Sequence, residues 1–153
     1  MKSHNPLLVI GGVGSFAVAL LHFVIIFIGA DAYRFFGAGE RMALDAANGS
    51  LAPTIVTFSI VVVFVLFGLY AFSGAGVVKK LWKLKPILLA ITTIYLMRGF
   101  GFFIEILGII YNHDVPVRHA VFSLTALIIG VFHLVGLIRG WKGLSVSGTE
   151  PAI

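Results

Sequence analysis

Residues 53–73 read PTIVTFSIVVVFVLFGLYAFS, from Pro53 to Ser73, without one charged side chain. At 1.5 Å per residue a helix over this run is about 30 Å long, the thickness of a bilayer's hydrocarbon core. The opening proline suits a first helical turn, where its missing N–H would have had no partner. A single segment surrounded by lipid can satisfy its own backbone groups only as a helix, so the run predicts a membrane span.

Three further apolar runs, over about 7–30, 86–111 and 118–138, are each long enough to do the same. The chain is 59% hydrophobic and 11% charged with a mean hydropathy of +1.08, against about 25% charge in soluble domains. The expectation is an all-α, polytopic integral membrane four-helix bundle. Little sequence is left over, so a single membrane domain is read across residues 1–153. Ala17-Val18-Ala19 has the look of a signal cleavage site, but the apolar run continues through Leu20 to Ile28, which predicts a retained first helix.

The net charge of +5 would suggest nucleic acid in a soluble protein. Here the cations flank apolar runs, where they orient helices and meet anionic headgroups, so membrane lipids are the expected partners and nucleic acid is not. Lys2, Lys79, Lys80, Lys83, Lys85, Arg139 and Lys142 fall on one side, and Arg34, Arg41 and Arg118 on the other. That bias predicts a cell (inner) membrane protein with cytoplasmic N and C termini and its first and third connections outside. The absence of cysteine excludes disulfides, thiolate metal sites and thiol chemistry.

Two connections read as interfacial. Over about 31–50, aromatics and the Gly37-Ala38-Gly39 hinge precede a short helix ending near Asn48-Gly49, the composition of an ordered re-entrant or interfacial loop. Over about 77–85, a helical turn would set Val77, Val78, Leu81, Trp82 and Leu84 against Lys79, Lys80 and Lys83. Within the spans, Gly11, Ser15 and Ala19 form a stripe that permits close helix approach, and Gly99, Gly101 and Gly108 offer the same on the third span.

The chemistry is concentrated in the third span, which carries Arg98 and Glu105. A central arginine costs at least about 2.5 to 3.5 kcal/mol on the mildest insertion scale. Seven residues apart, the two share a face with Tyr95 and Phe102, a face that should turn away from lipid. A structural ion pair or a snorkelling arginine is the plain alternative to a ligand site. By helix rise, His22 and His119 come to the same outer half, whereas His133 falls toward the opposite face.

His22 with His119 is the closest approach to bis-histidine haem ligation, at depths differing by about 6 Å. No tight metal-ligand spacing, catalytic nucleophile or cofactor motif appears, and no reaction is assigned. The first helix lacks the acid of the small multidrug exporters and the second lacks any charge, so neither they nor the glutathione-handling eicosanoid enzymes are resembled.

The leading expectation is an outward-opening polar cavity built from His22, Arg98, Glu105 and His119, with Tyr95, Tyr33 and Arg34 as further ligand-binding residues. It would bind or move a small anion, lipid or proton. The alternatives are an accessory or anchoring subunit meeting partner helices or its own copies, and a haem b electron carrier.

Overall fold

The computed structural model describes residues 4–111 and 113–144. Among them are six helices and no strand: α1 (Pro6–Ile28), α2 (Ala30–Phe35), α3 (Glu40–Ala47), α4 (Ala52–Ala75), α5 (Leu84–Ile110) and α6 (Val117–Leu144). α1, α4, α5 and α6 are long and apolar enough to cross a membrane. The protein is thus an all-α membrane protein with four candidate spans. Large apolar side chains such as Phe27, Met97 and Ile104 stand exposed along them, the reverse of what water selects. Lys2, counted above in the charge bias, lies outside the described residues.

Tertiary contacts group the chain into two units, Met1–Val13 with Gly68–Ile153, and Gly14–Phe67. In the first, α5 and α6 run antiparallel in close contact. A Cβ on Gly99 would fall 2.5 Å from Leu127 Cα, and one on Gly130 would fall 3.2 Å from Leu96 N, so the backbones approach as only small residues allow. These two crossings fix the register, with position 99 level with 127 and 96 level with 130.

The first turn of α1 is fastened to the same unit. Asn5 caps it, its Oδ1 accepting from Leu8 N at 3.4 Å, while its Nδ2 donates to Gly136 O at 2.7 Å. Leu8, Leu88, Ile91, His133 and Leu137 are buried in this unit.

The helical turn expected over 77–85 is not formed. Gly76, at φ 80°, closes α4 with its N–H on Ser73 O and that of Val77 on Phe72 O, the left-handed stop that glycine makes without strain. The Ser73 hydroxyl then donates to Lys79 O and accepts from Leu81 N, both at 2.9 Å. Backbone groups that a helical turn would have used are taken up this way, and the chain runs irregularly until α5 begins at Leu84. α6 continues beyond the expected end near Ile138 to Leu144, through Arg139 and Lys142.

In the second unit α2 and α3 form a helical hairpin over a small core of Ile25, Ala32, Tyr33 and Ala43, with Phe36 and Met42 packed against it. α3 stops at Asn48-Gly49 as the sequence indicates, with Gly49 at φ 77°. Tyr33 is buried and accepts a hydrogen bond from the Thr57 hydroxyl at 3.2 Å.

Candidate functional site

Arg98 sits near the middle of α5, about 21 Å from Leu84 and about 18 Å from Ile110 along the helix. By the register of the seam its Cα is level with Ile128 of α6, yet its Nη1 donates to the hydroxyl of Ser123, which is level with Phe103. The guanidinium therefore reaches about 7 Å along the seam toward the α5–α6 connection. Ser123 is fully buried, so the serine supplies an anchor inside the contact while the arginine keeps 52% of its side chain exposed.

Glu105 stands two turns further along the same face. Its Oε1 lies 4.0 Å from Arg98 Nη1, at the limit of an ion pair, and its side chain is 19% exposed. Its Oε2 is buried without a hydrogen-bond partner among the described residues. Arg98 Nε and Nη2 likewise make no hydrogen bond there. An acceptor and a set of donors thus lie side by side, unused. Gly101 keeps the space between them open, since a Cβ there would lie 3.5 Å from both Arg98 Nη1 and Ser123 Oγ, and 3.9 Å from Glu105 Oε1.

His119 occupies the first turn of α6, four residues before Ser123 and so on the same face, level with Leu107. It is half-buried. Tyr95 belongs elsewhere: it is buried against His133, rings stacked with centroids 5.4 Å apart, and a Cβ on Gly11 would meet that imidazole at 2.9 Å. The Gly11 position in the small-residue stripe is therefore used to admit a histidine ring.

His22, Tyr33 and Arg34 belong to the second unit. His22 Nδ1 pairs with Val18 O at 2.8 Å, one turn back on its own helix, and its ring tilts against Phe64 at 5.3 Å. Arg34 is held by Glu40 through bonds of 3.0 and 3.1 Å, and by Asp31 at 3.3 Å. The pairing raises the Arg34 pKa and lowers that of Glu40, chiefly through the side-chain hydrogen bonds they share. No group of three or more histidine, aspartate or glutamate side chains placed to hold a metal ion occurs among the described residues.

The seven-residue spacing made the Arg98–Glu105 pair visible in the sequence. The role of Ser123 was not, because it depends on the helix register, which is set by Gly99 and Gly130. Neither a known family, a characterised protein nor a solved structure matches this chain.

Proposed function

We propose that the α5–α6 seam is a binding site for a small ligand or lipid headgroup that brings an anionic group to Arg98 and a hydrogen-bond donor to Glu105. The observation that carries this reading is the buried, unpartnered Glu105 Oε2 beside the unused donors of Arg98. A buried polar atom left without a partner costs about 1–3 kcal/mol, and more if charged, so an occupant that supplies both partners is strongly favoured. Ser123 holds the guanidinium in place and Gly101 provides the space. With the charge bias placing both termini in the cytoplasm of a cell membrane, the seam opens in the outer half of the bilayer. The protein then binds, or passes on, a ligand reached from that side.

The test is thermal unfolding of the full chain in detergent, with phosphoethanolamine and glycine as zwitterionic probes. Wild type is expected to gain stability with at least one of them. Arg98→Ala and Glu105→Gln are expected to fold and lose the gain. A wild-type melting curve that neither probe moves overturns the reading.

The half-exposed position of Arg98 at mid-span favours a second reading, in which a partner helix or a second copy supplies the missing groups through its own side chains. It requires a fixed partner or an oligomer on gentle extraction from native membrane, and a lone, stable monomer removes it.

A further inference from the structure

A concave site lies at the far end of the same unit, where the first turn of α1, the end of α4 and the last turns of α6 meet. It is a cavity of about 1020 Å³, lined by His4, Lys79, Lys80 and Arg139 among other residues, with no acid among the described residues that line it. We propose that this cavity binds a phosphate-bearing anion, either a phospholipid headgroup or a soluble phosphate. The proposal stands apart from the seam site and does not depend on it.

Three positive charges converge here from separate parts of the chain, Lys79 and Lys80 from the α4–α5 connection and Arg139 from α6, with His4 from the segment before α1. The connection that presents the lysines is held rather than loose. The buried Ser73 hydroxyl bonds it on both sides of Lys80, and Lys80 Nζ donates to Gly143 O at 2.9 Å. The side chains of Lys79 and Arg139 make no hydrogen bond or ion pair among the described residues. Lys79 and Arg139, like charges with no acid paired to them among the described residues, repel unless an anion joins them, and the planar fork of arginine matches phosphate oxygens. The volume admits a headgroup, and the ends of spanning helices are where the phosphates of a leaflet lie.

The other lysines of this connection show what a plain surface anchor looks like. Lys83 Nζ lies over the Trp82 ring and Lys85 Nζ over the Trp141 ring, each 4.2 Å from the centroid. The cations here therefore divide into a pair set on aromatic faces and a group directed to the cavity. A diffuse attraction to anionic lipid would use all of them alike.

The experiment compares two double variants of equal charge in the full chain, Lys79→Ala/Arg139→Ala and Lys83→Ala/Lys85→Ala, each in nanodiscs. One disc is phosphatidylcholine alone and the other replaces one lipid in four with phosphatidylglycerol. Binding is read by the shift in melting midpoint and by lipid retained in native mass spectrometry, and inorganic pyrophosphate is titrated into the phosphatidylcholine discs. Removing two cavity cations is expected to weaken binding roughly thirtyfold, and removing the aromatic-held pair to leave it within about threefold. A response to phosphatidylglycerol alone identifies a headgroup as the source, and a response to pyrophosphate identifies a soluble phosphate. Equal losses in the two variants, or no response of wild type to either probe, overturns the proposal. If the cavity double variant fails to fold, Arg139→Gln alone, with folding checked by circular dichroism, carries the same comparison.

Discussion

Arg34 and Arg98 each face a carboxylate, and they do so differently. In the α2–α3 hairpin, Arg34 meets Glu40 through three hydrogen bonds and Asp31 through a fourth, at an exposed surface where both partners are easily solvated. At the α5–α6 seam, Arg98 approaches Glu105 through one contact of 4.0 Å, donates a hydrogen bond to Ser123, and leaves the far carboxylate oxygen without a partner among the described residues. Where charge is cheap the pair is complete, and where charge is expensive it is not. An incomplete pair in a spanning segment is more informative than a complete one at the surface, because its unsatisfied groups have no water to fall back on.

Opening the seam itself has the largest expected effect. Gly99→Ala puts a methyl 2.5 Å from the Leu127 backbone, which cannot rotate aside. The helices must separate, and a loss of about 3 kcal/mol is expected, together with loss of the Arg98–Ser123 bond. Unfolding in detergent measures the first. If Gly99→Ala is as stable as wild type, the register on which the site is built is wrong.

The second effect is smaller and opposite in sign. Were Arg98 and Glu105 a structural bridge, the double variant Arg98→Met/Glu105→Gln would lose stability. For a site kept for binding, removing both charges is expected to be neutral or to stabilise the unliganded protein by up to about 2 kcal/mol, while binding disappears. The same unfolding assay, with and without probe, separates the two outcomes.

Much of this was legible in the sequence because it is local. The span at 53–73 followed from an uncharged apolar run and that at 86–111 from a long run interrupted only by Arg98 and Glu105 as charged residues, the α3 stop from Asn48-Gly49, and the shared face of Arg98 and Glu105 from their seven-residue spacing. What escaped is what depends on distant partners. The helical turn over 77–85 fitted its own hydrophobic pattern, and it lost to a hydroxyl at Ser73 in the preceding helix. The continuation of α6 to Leu144 escaped because Arg139 and Lys142 break the apolar run, whereas long basic side chains can stay on a helix and still reach the interface. The same cations carried a topology signal strong enough to hide that three of them meet in one cavity.

Gly101→Ala sharpens the contrast with less disturbance. The new methyl makes ordinary contacts with Arg98, Ser123 and Glu105, and alanine is favoured over glycine in a helix by about 1 kcal/mol. A slightly more stable protein with weakened ligand binding is expected, since the methyl occupies the space the ligand needs. Unchanged binding would place the ligand away from Gly101.

The smallest effect belongs to the complete pair. Glu40 is held below its ordinary 4.5 by Arg34, so the pair's contribution is present above the unfolded carboxylate pKa and fades as pH falls through the lowered folded value. Arg34→Gln should return Glu40 to the ordinary range, which is measurable by carboxylate NMR titration, with little change in melting at neutral pH because both side chains are exposed. Added salt should reproduce part of that change in wild type. If Arg34→Gln instead abolishes folding or ligand-dependent stabilisation, the hairpin pair has a role beyond its own surface, and the distinction between the two arginines fails.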